Sequence, residues 1–159
     1  MKHTFAVLVE NRPGVLSKVA GLFSRRGFNI ESLVVASTEN KTISKMTILV
    51  DGDARVLEQV SKQLNKLVDV IKVNDITYEE TVDRQLALIR VACEPAIRTE
   101  VMQLMDIYRC KIVDVGRKSL MIEAVGDEAK IQAILKSLEV YGITELVCTG
   151  KVAMVRGAK

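Results

Sequence analysis

The chain has 159 residues, 48% of them hydrophobic and 27% charged, which excludes a disordered chain and suffices for two small domains. Its 23 basic and 20 acidic residues are interleaved and give a net charge of only +3, so no concentrated basic face points to nucleic acid. The scattered cysteines Cys93, Cys110 and Cys148 predict reduced thiols rather than a disulfide framework or a zinc site. No apolar run is long enough for a signal sequence or a membrane span, so we expect a soluble, cytoplasmic protein.

The first half of the sequence predicts the element order β-α-β-β-α-β. An apolar strand over residues 4–9 is followed by the turn cluster Glu10–Gly14, and apolar residues then recur at helical spacing from Val15 to Phe23. Two arginines and Gly27 form a typical helix C-terminus. The remaining predicted elements are a strand over 28–37, a strand over 43–50, a helix that follows Asp53 and a strand over 70–76.

The second half repeats this order after the polar segment 77–84, which we interpret as a linker or a strand extension. Its predicted elements are a strand over 86–93, a helix that starts at Pro95, strands over 111–115 and 119–125, a helix capped by Asp127 and a strand over 143–149 with a short extended tail. The predicted fold class is therefore α+β, with two tandem ferredoxin-like βαββαβ domains. We expect the domain limits 1–77 and 84–159, with a linker over 78–83.

In such a fold both helices of a domain lie on one face of a four-stranded antiparallel sheet. The other face is left bare, yet several predicted strands carry apolar residues on both faces, for example Leu33–Ala36 and Leu120–Ile122. This second face, or the sheet edges, must then be covered. We therefore expect the chain to associate with itself, at least as a dimer.

Residue sets typical of active sites are missing from the sequence. We expect no Ser-His-Asp set around the single histidine, His3, which lies at the chain start, and there is no HExxH, P-loop or GxGxxG motif. Asp51 and Asp53, which flank Gly52, are better explained by helix capping than by metal binding. We predict that the chain has no catalytic residue and no metal site, and that it is not an enzyme by itself.

The segment from Glu10 to Leu16 joins the first strand to a helix N-terminus. Up to four backbone N–H groups lack intrahelical partners there, and the helix dipole favours a negative charge. Gly14 permits close approach of a ligand, and the Asn11 amide offers a donor and an acceptor. The carboxylate of a free amino acid could bind to these amides; a plain tight turn before a proline-started helix explains the same residues.

The stretch ENRPGVLSKVAGLFSRRGFNIESL, which begins at Glu10, closely resembles the N-terminal ACT domain of acetolactate synthase (acetohydroxyacid synthase) small subunits. Its NRPG loop is shared by many amino-acid-sensing ACT domains, whereas SRRGFNIESL is more specific, and the resemblance extends over the second half from Asp83 onward. It implies a regulatory subunit that activates a catalytic large subunit and confers feedback inhibition by valine in the biosynthesis of branched-chain amino acids, including isoleucine. Thiamine diphosphate, magnesium and FAD are implied for the catalytic subunit, and no cofactor for this chain.

The resemblance also implies that two ACT domains pair side by side in a homodimer, with valine at the interface. The effector residues that it implies are Asn11, Gly14, Val15 and Leu16 of one chain, together with Asn29 and Ile30 of the other. In the second half the matching stretch is Cys93-Glu94-Pro95-Ala96, without the asparagine or the glycine. We therefore expect the C-terminal domain to be structural or to bind a partner, with no amino-acid site.

Three other functions use a similar fold. An amino-acid-sensing ACT protein could regulate transcription or another biosynthetic enzyme, but the sequence shows no helix-turn-helix and no attached catalytic domain. An RNA-binding domain would need aromatic residues on the sheet face, and the three Phe and three Tyr form no such motif. An acylphosphatase-like enzyme would need a phosphate-cradling loop, for which Arg12 alone is weak support.

Overall fold

The computed structural model describes residues 1–157, which form two compact units. The first unit comprises Met1–Val82 together with the chain from Lys151 onward, and the second comprises Asp83–Gly150. The C-terminal segment, residues 151–157, thus groups with the first unit, whereas the sequence analysis placed it in the second domain. None of the helices in the described residues is long and apolar enough to cross a membrane.

The first unit contains a four-stranded antiparallel sheet with the strand order β2-β3-β1-β4. Its elements up to residue 75 are β1 (Lys2–Glu10), α1 (Val15–Arg25), β2 (Ile30–Ser37), β3 (Ile43–Asp51), α2 (Ala54–Asn65) and β4 (Val70–Asp75). The order β-α-β-β-α-β predicted from the sequence is confirmed.

The core of the first unit lies between the helices and one face of its sheet. Alternate residues of the central strands point into it, as the period of two in a strand requires. The core residues are Phe5, Val7 and Val9 of β1, Met46, Ile48 and Val50 of β3, Val15, Val19 and Phe23 of α1, and Leu57, Val60 and Leu64 of α2.

The second unit repeats this architecture with the strand order β6-β7-β5-β8. Its elements are β5 (Thr81–Ala92), which begins in the first unit, a short 3₁₀ turn (Pro95–Ile97), α3 (Arg98–Ile107), β6 (Lys111–Val115), β7 (Ser119–Gly126), α4 (Glu128–Leu138) and β8 (Ile143–Cys148). Half of the expected linker, residues 81–83, therefore belongs to strand β5. The tandem βαββαβ fold class is confirmed, and the described chain ends with a further strand, β9 (Val152–Val155).

The C-terminal segment covers part of the sheet face that the sequence analysis expected to be bare. Ala153 is buried in a cluster with Ala6 and Ile76, which lies apart from the main core of the first unit. The backbone N–H of Lys151 donates to Ser32 Oγ on β2 at 3.1 Å. The backbone N–H of Arg156 also donates to the Glu80 carbonyl at 2.7 Å. These contacts explain why the segment belongs to the first unit.

A β-bulge interrupts the pairing of β1 with β4. Leu8 lies opposite Lys72, but the next residue of β1, Val9, lies opposite Val70, so Ile71 is an extra residue on β4. The bulge shifts the register by one residue at the end of β1 that leads into the β1–α1 loop.

Helices α2 and α4 begin with the caps that the sequence predicts. The carboxylate of Asp53 accepts a hydrogen bond from the backbone N–H of Arg55 at 2.8 Å, and that of Asp127 accepts one from Lys130 at 2.8 Å. We expect Asp127→Ala to lower the free energy of unfolding by about 1 kcal/mol, because one N–H at the helix start loses its acceptor. Urea unfolding measures this. Glu128→Ala, which leaves the cap in place, is the control and should change stability by less than about 0.5 kcal/mol.

Candidate functional site

The loop between β1 and α1 ends at Gly14, the N-cap residue of α1. Gly14 has φ 85° and ψ −10°, a left-handed conformation that costs an L-residue with a side chain about 1–2 kcal/mol. A methyl group added at its α-carbon would meet no heavy atom within 4 Å. The backbone therefore favours glycine here, and the space in front of it is open to a ligand.

The first turn of α1 carries backbone N–H groups without acceptors. Among the described residues, the N–H groups of Gly14, Leu16 and Ser17 donate no hydrogen bond, and no acidic residue stands in this turn. The N–H of Val15 makes a long bond, 3.5 Å, to the Arg12 carbonyl. Unpaired donors at a helix N-terminus carry partial positive charge, so this turn can hold a carboxylate.

Asn11 is fixed beside this turn by two hydrogen bonds. Its backbone N–H donates to the Thr42 carbonyl at 2.8 Å, and its side-chain Nδ2 donates to the Lys41 carbonyl at 3.0 Å. The side chain is exposed, and its Oδ1 has no donor within the described part of the chain. One of the two side-chain N–H groups is thus used within the protein, whereas Oδ1 is free to accept a hydrogen bond from an ammonium group.

Val15 and Leu16 differ in what they can offer to a ligand. The side chain of Val15 is only 3% exposed and packs in the core of the first unit, so only its backbone faces the loop. Leu16 is 45% exposed and can contact an aliphatic group. Of these two predicted site residues, Leu16 alone has an accessible side chain.

Asn29 and Ile30 lie at the other end of the same sheet. Asn29 is exposed just before β2, and Ile30, the first residue of β2, packs partly against the core. Ile30 lies opposite Val50 of β3, whereas Glu10, which leads into the loop, lies opposite Ile43. Seven residues of β3, about 23 Å of strand, separate these two levels. A single chain does not bring the two halves of the predicted site together.

The second unit contains the backbone equivalent of this loop without its polar groups. The N–H of Cys93 donates to the Lys118 carbonyl at 2.9 Å, as that of Asn11 donates to Thr42. Cys93 is buried, and the chain continues into the 3₁₀ turn Pro95–Ile97 rather than through a left-handed glycine. The loop of the first unit is therefore better suited to an amino acid.

A carboxylate that the sequence analysis missed lies beside the loop. Asp69, in the turn before β4, contacts Lys18 Nζ with Oδ2 at 3.0 Å and Arg12 Nη1 with Oδ1 at 3.7 Å, and its side chain is 13% exposed. Its backbone carbonyl accepts the N–H of Glu10 at 2.8 Å. Because more than fifty residues separate it from the loop along the chain, only the folded sheet shows that it belongs to this site.

The resolved pKa shifts lie outside this loop. Burial raises the pKa of the Cys110 and Cys148 thiols, and a hydrogen bond to Glu100 raises the pKa of Tyr141. A hydrogen bond from the N-terminal amine lowers the pKa of Asp51. The predicted effector residues are amides, glycine and aliphatic side chains, so the contacts that they offer do not titrate.

Comparison with known proteins places both units in one family. The family described as "AHAS small subunit-like ACT domain" matches residues 5–72, and the family described as "Small subunit of acetolactate synthase" matches residues 84–157.

Individual relatives agree with these matches over the full length. The chain is 60% identical over 159 residues to the Archaeoglobus fulgidus protein named "Probable acetolactate synthase small subunit", covering 100% of this chain and 99% of that protein. It is 50% identical over 157 residues to the acetolactate synthase small subunit of Mycobacterium leprae, covering 99% and 93%. The crystal structure of the acetolactate synthase small subunit from Thermotoga maritima superposes with a TM-score of 0.90 at 41% identity, covering 100% and 99%. The chain belongs to the family of acetolactate synthase small subunits, which carry a regulatory ACT domain.

Proposed function

We propose that this chain binds valine between two copies of its first unit and thereby controls a catalytic large subunit of acetolactate synthase. The observation that supports this most strongly is the division of the predicted site. Donors for a carboxylate stand at one end of the sheet, and Asn29 and Ile30 stand at the other. A second copy is needed to join them.

Antiparallel pairing of two β2 strands would join the halves. Strand β2 lies at an edge of its sheet, so its outer backbone groups can pair with a second chain. Two β2 strands paired about a twofold axis put Ile30 of one chain beside Ser37 of the other. Ser37 lies opposite Ser44, which lies opposite Val9 at the loop end of β1. The start of one β2 would thus reach the loop of the partner, in a continuous eight-stranded sheet.

Each part of valine has a suitable group in this arrangement. The carboxylate would accept hydrogen bonds from the free N–H groups of Leu16 and Ser17, and the ammonium would donate to Asn11 Oδ1. The isopropyl group would lie between the exposed side chain of Leu16 and the partly buried Ile30. Asn29 of the second chain would provide a further polar contact to the ligand.

The catalytic chemistry is assigned to the large subunit. We expect thiamine diphosphate, magnesium and FAD to bind there and this chain to need no cofactor. The chain would raise the activity of the large subunit, and valine would reduce that activation. Such coupling is typically about 1–3 kcal/mol, and it is reciprocal for binding, so the large subunit changes valine affinity as valine changes subunit affinity.

Reconstitution tests this function directly. Purified chain is added to purified large subunit, and acetolactate formation is measured with and without valine, while calorimetry measures valine binding to the chain alone. We expect no turnover by the chain alone, activation of the large subunit, and inhibition by valine. Turnover by the isolated chain, or a large subunit that responds neither to it nor to valine, contradicts the proposal.

Asn29→Ala tests the half of the site that the second chain contributes. We expect valine affinity to fall by about 1–3 kcal/mol, roughly 5–150-fold, because a polar group of the ligand loses its partner. Calorimetric titration measures the change, and sedimentation should show an unchanged dimer. Gln132→Ala, at an exposed position of helix α4 in the second unit, is the control. If Asn29→Ala and the control bind valine with equal affinity, Asn29 does not contact the ligand.

A further inference from the structure

The turn before β4 holds three parts of the effector loop at once. Asp69 binds Arg12 within the loop and Lys18 in the first turns of α1 through its two carboxylate oxygens, and it binds the backbone N–H of Glu10 through its carbonyl. The two cationic side chains are mostly exposed, whereas Asp69 is only 13% exposed. One nearly buried anion thus connects the end of β1, the loop and the helix whose N–H groups are free.

The β-bulge in β4 puts Asp69 in this position. With a regular register, Val70 would lie opposite Glu10. Because Ile71 is an extra residue on β4, Val70 lies opposite Val9 instead, and Asp69 takes the position beside Glu10. A bulge next to a ligand loop is a common way of redirecting one side chain. The carboxylate is thereby brought within 3.0 Å of Lys18.

The second unit repeats the bulge but not the charges. Its β5 and β8 shift register at the same point, and the N–H of Ala92 donates to the Gly142 carbonyl at 2.9 Å, as that of Glu10 donates to Asp69. Gly142, which has no side chain, therefore occupies the position of Asp69. When Ala92 is matched with Glu10 and the following residues are compared one by one, Glu94 corresponds to Arg12 and Glu100 corresponds to Lys18. The bulge is therefore present in both units, whereas of the two described units only the first combines it with a carboxylate, Asp69, and two cations, Arg12 and Lys18.

We propose that Asp69 is a positioning residue for the effector site, a role that rests on the proposed function. By holding Arg12 and Lys18 it fixes the loop and the first turns of α1 relative to each other, so that the N–H groups of Leu16 and Ser17 point to the same ligand carboxylate. It also draws the two cationic side chains to the β4 side of the loop, where they leave the space in front of Gly14 open.

Removal of the charge distinguishes positioning from a direct electrostatic effect. A carboxylate near an anionic ligand group repels it, so if Asp69 acted only through its charge, Asp69→Asn would strengthen valine binding. If Asp69 positions the loop, the same substitution weakens binding, because the amide cannot form ion pairs with both cations. The two roles predict changes of opposite sign.

The experiment compares the full-length wild-type chain with Asp69→Asn, Asp69→Glu and Glu58→Gln. Glu58 pairs with Lys62 at 3.0 Å on the exposed surface of α2, so its variant is a matched loss of one ion pair away from the loop. Valine affinity is measured by calorimetry, and backbone hydrogen exchange is measured over residues 11–18 without ligand. For Asp69→Asn we expect valine Kd to rise about tenfold and exchange in this segment to accelerate, with an unchanged dimer mass; Asp69→Glu should recover part of the affinity, and Glu58→Gln should match the wild type.

Two results would overturn the inference. One is a valine Kd for Asp69→Asn that is equal to or lower than that of the wild type; the other is unchanged exchange over residues 11–18. The exchange measurement needs no ligand, so it tests the positioning role even if the wild-type chain binds no valine. Absence of valine binding by the wild type would instead count against the proposed function.

Discussion

Replacement of Gly14 by aspartate is expected to abolish valine inhibition while activation of the catalytic subunit persists. The new carboxylate would stand at the open end of α1, where the ligand carboxylate is expected to bind, and would repel it. Its Cβ meets no heavy atom within 4 Å, so the fold accommodates it. The left-handed backbone at φ 85° costs about 1–2 kcal/mol with a side chain present, and the helix dipole returns about 0.3–1 kcal/mol. Acetolactate formation by the reconstituted enzyme over a range of valine concentrations measures the effect.

The matched control is Ala96→Asp at the corresponding position of the second unit. Ala96 lies in the 3₁₀ turn Pro95–Ile97, in a loop without an asparagine and with Glu94 already present. We expect this variant to retain valine inhibition. If Ala96→Asp abolishes inhibition and Gly14→Asp does not, the effector site lies in the second unit.

Val35→Asp is expected to convert the dimer into monomers and to remove valine binding with it. Val35 is 42% exposed near the middle of the edge strand β2, and in the proposed dimer two new carboxylates would lie about 10 Å apart within the paired strands. A charge without a partner in an interface costs about 3–5 kcal/mol, which corresponds to a dimer Kd at least 100-fold higher. Sedimentation at micromolar concentration should then give about the 17.6 kDa of one chain.

Val56→Asp is the control for this second substitution. Val56 is 37% exposed, a fraction close to that of Val35, but it lies on helix α2 rather than on the sheet edge. We expect it to remain a dimer that binds valine. A dimeric Val35→Asp with normal valine affinity would show that β2 does not form the interface.

The sequence predicts the elements of this fold well because its local signals agree with one another. The helices and strands lie close to where the sequence predicts them. The signals are the spacing of apolar residues, the turn residues, and helix caps such as Asp53 and Asp127. The C-terminal segment was less predictable. The apolar run Val152–Val155 predicts an extended tail, but the sequence does not show that Ala153 alone of these four residues is buried, because its neighbours Ala6 and Ile76 lie more than seventy residues away along the chain.

The site was predictable only where its function depends on local backbone chemistry. Gly14 and the helix start could be inferred, because a proline and a glycine before an amphipathic helix predict free N–H groups. Two other features could not be inferred from the sequence, because both depend on packing. A side-chain N–H of Asn11 donates to the Lys41 carbonyl, and the side chain of Val15 is buried. Asp69 carried no signal of its own, because a bulge has no sequence pattern as clear as that of a turn.

The membership of β9 in the first unit makes residues 83–150 an insertion within that unit's own chain. During synthesis from the N-terminus, the four-stranded sheet can form early, but the cluster of Ala6, Ile76 and Ala153 can close only after residue 153, and thus the whole second unit, has been made. The first unit is thus the first to begin folding and the last to finish. A fragment cut near residue 82 would keep the effector loop but expose Ala6 and Ile76, so the two units cannot be separated cleanly by a single cut.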